Sequence, residues 1–172
     1  TINSWELIIV DGNSSDDTRN IISKFKKNIS YFISEEDLGI YDAMNKGINA
    51  SSGTYISFLN SDDYYLPKFV EDLKNAQKII KSPFFVSPVN LVNKRSKQIG
   101  IYYPINNHSK NNLFRCSPFP HLGMAINSTI LKDLGGFDLS FKYCSDYELM
   151  IRLLNKFGYD YQCLPNINAN YT

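Results

Sequence analysis

The chain has 172 residues, enough for one domain with its own core and short for two. A hydrophobic content of 43% argues against disorder, and 18 basic against 17 acidic residues leave a formal charge of +1, so no broad field draws the protein to nucleic acid. Three cysteines without a CxxC spacing and two scattered histidines make neither a disulfide framework nor a zinc site.

The elements alternate from the start. Trp5 to Val10 is an apolar, β-branched run that predicts a buried strand, and the polar loop Asp11 to Ser15 leads into a helix over 16–27 with Ile21, Ile22 and Phe25 on one face. Ile29 to Ser34 predicts a second strand. Ile40, Ala43, Met44 and Ile48 place the helix over 40–50, and Thr54 to Leu59 a third strand. Pro67 opens a helix whose apolar face is Phe69, Val70, Leu73, Ala76 and Ile80. Strand and helix in turn argue for an α/β fold whose parallel strands are covered on both faces. Beyond residue 83 the pattern loosens. Phe84 to Val92 and Gln98 to Tyr103 read as strands about a polar turn, residues 104–121 as loop, and Gly123 to Ile126 as a strand before a helix ending at Gly135 and Gly136. Ser145 to Phe157 is a strongly periodic helix, and Tyr159 to Leu164 a terminal strand. No linker or repeat divides the chain, which predicts a single domain over 1–172.

In an open α/β sheet, ligands gather at the carboxyl ends of parallel strands. Two such ends carry acids: Asp11, and the adjacent pair Asp62 and Asp63. The pair either caps the helix near Pro67 or holds a hard divalent cation. The loop "DGNSSDDT" fails as a calcium site, since Asp16 stands where glycine is needed and Ile22 where a bidentate glutamate is needed. It suits a helix cap through Ser14 or Ser15. Gly47 inside a helix signals close approach by a neighbour. No GxGxxG and no P-loop pattern occurs. Ser145 and Glu148 have capping-box spacing, which places Asp146 in a first helical turn, either as ordinary helix charging or as a general base.

Taken in order, "WELIIVDGNSSDDT", "DLGIYDAMNKGINASSGTYISFLNSDDYYLP", "PHLGMAINSTILKDLGGFD" and "SDYELMIRLL" resemble the inverting glycosyltransferases of family 2 over nearly the whole chain. The resemblance implies a GT-A fold, with a mixed, mostly parallel sheet between helices. It implies transfer of a sugar from a nucleoside-diphosphate sugar, a UDP-sugar first among candidates, to a hydroxyl of a saccharide or lipid-linked acceptor in polysaccharide or glycolipid synthesis. Asp62 and Asp63 resemble the acidic motif that contacts the donor and holds Mn²⁺ or Mg²⁺. Asp11, Asp37, Lys46 and His121 fall at nucleotide-sugar positions, and Asp146 at the base that deprotonates the acceptor. Asn60 stands where many members have a first acid, and Gly12 where a second acid follows Asp11. Members begin with a further strand before the Trp5 segment, so the resemblance implies a domain incomplete at its start, with the C-terminal elements cut short as well. A truncated, non-catalytic module binding nucleotide, carbohydrate or a partner is the alternative. A phosphatase or nucleotidyltransferase is disfavoured for want of its nucleophile and phosphate loops. The expected location is cytoplasmic, with room for peripheral association at the inner face of the membrane.

Overall fold

The computed structural model describes residues 5–104 and 117–172. In chain order its elements are β1 (Ile8–Asp11), α1 (Thr18–Lys24), β2 (Tyr31–Ser34), α2 (Ile40–Ala50), β3 (Tyr55–Ile56), β4 (Tyr64–Tyr65), α3 (Phe69–Ile79), β5 (Phe84–Val86), β6 (Val89–Val92), β7 (Gln98–Tyr102), β8 (Met124–Asn127), α4 (Ser128–Asp133), α5 (Ser145–Phe157), β9 (Gln162–Cys163) and β10 (Ala169–Tyr171). They divide between two compact units, Thr1–Thr54 with Ser128–Leu149, and Tyr55–Asn127 with Met150–Thr172. Most of the loop expected over 104–121, Cys116 included, lies outside the described residues.

In the first unit, β1 and β2 pair in parallel from Ile8↔Tyr31 to Asp11↔Ser34, so Asp11 and Ser34 stand level at the strand ends. Helix α2 packs on β1, with Ile48 buried beneath it. Gly47 faces this contact, but a Cβ there would lie 3.7 Å from the Val10 side chain, in ordinary contact, so the packing does not require glycine. The close approach expected of an interior glycine is therefore not found: the space between helix and strand would take a methyl group. Helix α1 is shorter than its periodicity implies. It starts at Thr18, because the Asp16 carboxylate accepts the Thr18 N–H at 3.0 Å in a local turn, and Ser14 bonds back to Asp11 instead of capping the helix.

The second unit holds two four-stranded sheets, ordered β3-β8-β5-β9 and β4-β10-β6-β7. Parallel pairs (β5 with β9, β6 with β10) stand beside antiparallel ones (β3 and β5 with β8, β4 with β10, β6 with β7). The antiparallel share exceeds what the alternation of the first half implies. Only β6 and β7 form a short hairpin, and the other antiparallel pairs bring together strands far apart in sequence, such as Tyr55 with Asn127 and Tyr65 with Ala169.

Three expected strands change in detail. The run Phe84 to Val92 breaks at Ser87-Pro88: proline has no N–H for a ladder, and the Ser87 N–H donates to the Gly123 carbonyl at 2.9 Å. The chain thus leaves one sheet as β5 and joins the other as β6. The third strand stops at Ile56 instead of Leu59. Beyond it, the Phe58 carbonyl accepts the Tyr65 hydroxyl at 2.8 Å and the Ser57 hydroxyl donates to the Met124 carbonyl, so side chains replace the ladder. The terminal strand shrinks to β9, and β10 follows it between β4 and β6. The core of this unit is Phe69, Phe85, Ala125 and Leu164, flanked by Tyr55, Tyr65 and Leu73. No helix among the described residues is long and apolar enough to cross a membrane.

Candidate active site

In the first unit, β1 delivers Asp11 to its carboxyl end, where the side chain is only 6% exposed. Its oxygens accept the Ser14 N–H at 3.2–3.3 Å, the Ser14 hydroxyl, and the Ser34 hydroxyl at 2.7 Å. The Ser14 hydroxyl, with help from Ser34, holds this carboxylate below the usual range against the opposing effect of burial. Asn13, at φ +63°, makes the left-handed step that folds the loop back. Asp11 is therefore fully engaged in pinning the loop to the two strands.

Asp37 lies against Gly12. A Cβ on residue 12 would come within 2.5 Å of the Asp37 carboxylate, while its other oxygen accepts the Gly39 N–H at 2.9 Å at the mouth of α2. An acid at position 12 would meet Asp37 head-on, which gives the glycine there a physical reason. Lys46, about two turns further along α2, reaches Glu35 at 3.0 Å, Asp42 at 3.5 Å and the Glu36 carbonyl at 2.6 Å. Glu35 chiefly, then Asp42, raises its pKa. Lys46 is the cation of a small acidic cluster on one loop and one helix turn.

Asp146 sits half-buried in the first turn of α5, as the spacing implied. The capping box does not form as expected. The Ser145 hydroxyl donates to the Asp138 carbonyl at 2.9 Å, and Cys144, at φ +62°, supplies the carbonyl that accepts the Glu148 N–H at 3.0 Å. Tyr41 of α2 completes the helix mouth, donating its hydroxyl to Asp146 Oδ1 at 2.9 Å. Sequence reasoning missed Tyr41. Its signal was weak but present: Tyr41 and Asn45 are four residues apart, off the apolar stripe of α2 and facing the same way.

In the second unit, residues Asn60 to Asp63 form a tight turn after β3, closed by the Asp63 N–H on the Asn60 carbonyl at 3.2 Å. The two acids part company here. Asp62 is exposed at the tip of the turn, whereas Asp63 is 8% exposed, accepting the Thr172 N–H at 2.9 Å and the Asn60 amide at 3.3 Å. No side chain caps α3, whose cap residue is Lys68, so the capping reading of this pair does not hold. His121 opens a 3-10 turn and stacks on Phe58, with ring centroids 5.5 Å apart and planes at 21°.

Among the described residues no three acidic, histidine or cysteine side chains converge as a ready-made cage. The acidic turn nonetheless fits a cation of the Mg²⁺ or Mn²⁺ kind. Such ions take one or two carboxylates, with water and substrate phosphates filling the rest. Asp62 is free to supply the first, and Asp63, with one hydrogen bond on each oxygen, keeps the turn in shape.

Residues 1–128 match the family described as Glycosyl transferase family 2. An uncharacterised glycosyltransferase of Rickettsia typhi is 31% identical over 163 residues, 90% of this chain and 51% of that protein. A PGL/p-HBAD biosynthesis glycosyltransferase of Mycobacterium tuberculosis is 39% identical over 66 residues, 37% of this chain and 26% of that protein. Among solved structures, residues 1–349 of S. aureus TarS in complex with UDP superpose with a TM-score of 0.78 at 18% identity, covering all of this chain and 52% of that one. The same protein with UDP-GlcNAc gives 0.75 at 18% identity, with 98% and 50% covered. The chain spans about half the length of the Rickettsia relative and of the TarS structure it matches. The fold is the GT-A fold of TarS, and the chain belongs to glycosyl transferase family 2.

Proposed function

We propose that this protein transfers a sugar from a nucleoside-diphosphate donor to an acceptor hydroxyl, with inversion at the anomeric carbon. The observation that carries the reading is the half-buried carboxylate of Asp146 at the mouth of α5. One of its oxygens is fixed by Tyr41, and the other takes no hydrogen bond among the described residues. In this reading Asp146 Oδ2 removes the proton of the acceptor hydroxyl. The oxygen's electron pair forms the new bond to the anomeric carbon, on the face opposite the departing nucleotide. The bond from that carbon to the β-phosphate oxygen breaks, and the diphosphate leaves with its electrons. A positioned base of this kind contributes about 10²–10⁴-fold. TarS is described with UDP and with UDP-GlcNAc, which supports a UDP-sugar as donor.

Asp62 would hold a divalent cation, Mn²⁺ or Mg²⁺, against the donor's diphosphate, and the cation would neutralise charge on the leaving group. Asp63 keeps the turn that presents Asp62. Asp37 and His121 are assigned to the donor, and Lys46 would exchange a carboxylate of its cluster for a phosphate oxygen. The acceptor is a saccharide or lipid-linked glycan at the cytoplasmic face of the membrane, in the synthesis of a polysaccharide or glycolipid.

Calorimetry with UDP tests the donor half of this reading. Binding that strengthens on adding Mn²⁺ and loses at least about tenfold of that gain in Asp62→Ala is expected. Metal-independent binding, or an Asp62→Ala variant equal to its parent, rules out the cation role.

A further inference from the structure

Resting on the assignment of Asp146 as base, the geometry points to Tyr41 as the residue that positions it, through a hydroxyl that donates to Asp146 Oδ1 and leaves Oδ2 to the acceptor. Four observations converge on this role. The contact is a direct side-chain bond of 2.9 Å between residues 105 apart in sequence, so it joins two separate elements of the first unit. The phenol ring is itself held in place, stacked on Phe137 with centroids 5.4 Å apart and planes at 27°. Phe137 is fixed in turn from the same face of α2. The Asn45 amide donates to its carbonyl and accepts its N–H, both at 2.8 Å. Finally, burial first, and then the bond to Asp146 and its charge, raises the phenol's pKa, while the N–H groups of Asp146 and Ser145 oppose the rise. Tyr41 therefore keeps its proton through neutral pH and can donate it to the carboxylate.

A carboxylate on an exposed helix end turns freely about χ1 and χ2. One oxygen tied to a rigid phenol confines the other to a narrow arc, which is the condition for effective proton abstraction: a misplacement of about 1 Å can cost roughly 10²-fold. A simple stabilising bond would contribute to folding and leave turnover untouched. Positioning instead predicts a loss in kcat with donor affinity preserved.

Tyr41→Phe keeps the ring and its stack on Phe137 and removes only the hydroxyl. The experiment measures UDP release from UDP-sugars in the presence of an acceptor extract, together with UDP affinity by calorimetry and the melting midpoint. The expected result is a fall of about 10- to 100-fold in kcat for Tyr41→Phe, with UDP affinity within about twofold of the parent. In an Asp146→Asn background the same change should cost nothing further, because the hydroxyl acts through the carboxylate. If Tyr41→Phe unfolds, Tyr41→His, which keeps a ring and a donor, should retain more turnover than Tyr41→Leu; equal turnover in those two overturns the proposal. Turnover of Tyr41→Phe at the parent's rate, while Asp146→Asn is inactive, also overturns it and leaves the transferase reading standing. An Asp146→Asn variant as active as its parent removes the base assignment as well as the role built on it.

Discussion

Replacing Asn45 with alanine removes both hydrogen bonds that clamp the Phe137 peptide, each 2.8 Å long, to a residue that is 2% exposed. Each such bond contributes about 1 kcal/mol net, and a buried peptide group left without a partner costs about 1–3 kcal/mol. Those figures would allow a loss of 4 kcal/mol or more. The neighbourhood decides against the upper end. Asn45 lines a small polar cavity with Asn49, Lys132 and Gly136, so water can reach the orphaned groups. The expected loss is therefore about 2 kcal/mol, or roughly 4–8 °C in melting midpoint for a chain of this size. Thermal unfolding followed by circular dichroism measures it. Asn49→Ala, on the exposed side of the same cavity, is the control and should stay within about 0.5 kcal/mol of the parent. If Asn45→Ala melts with that control, the Asn45–Phe137 clamp carries no stability, and the support claimed for the Tyr41 ring fails with it.

Two glycines should respond differently to alanine in urea titrations. At Gly123 the new Cβ would lie 2.3 Å from the Ser87 backbone oxygen, which cannot yield, so a loss of about 3 kcal/mol or more is expected. At Gly12 it meets the mobile end of Asp37, and about 1 kcal/mol is expected; equal losses at the two sites would contradict the contact geometry. The hydrogen bonds on Asp11 lower its pKa in the folded state, so its contribution is fully present above the unfolded value of about 3.9 and fades as pH falls through the lower folded value. The stability gap between parent and Asp11→Asn should accordingly be widest above about pH 4 and close in more acidic solution. A gap that does not change with pH would mean the carboxylate's charge plays no part in the loop.

How far the sequence carried depended on the range of the interactions involved. Helices α2, α3 and α5 were legible because a 3.6-residue apolar stripe is a local property; α5 spans Ser145–Phe157 just as its periodicity implies. Strands were legible where β-branched residues cluster, as in Ile8 to Val10. They blurred where a ladder ends through a distant partner: nothing near Ser57 announces that Met124 takes its hydroxyl. β10 was missed because Ala169–Tyr171 carries no strand signal of its own and exists by slotting between β4 and β6. The site followed the same rule. The acids could be named from their strand and helix ends, yet the burial of Asp63 beside an exposed Asp62 involves the Thr172 N–H, 109 residues away. Tyr41 escaped notice for the same reason, since its partner lies 105 residues on.

The corner at Ser87-Pro88 links the two sheets of the second unit in a particular way. β5 runs between β8 and β9, and β6 between β10 and β7, so one short rod of chain serves as an inner strand of both layers. Neither layer can peel away from its margin inward without pulling on the other's centre. Fraying is thus confined to outlying strands such as β7, and loss of either middle brings both down together.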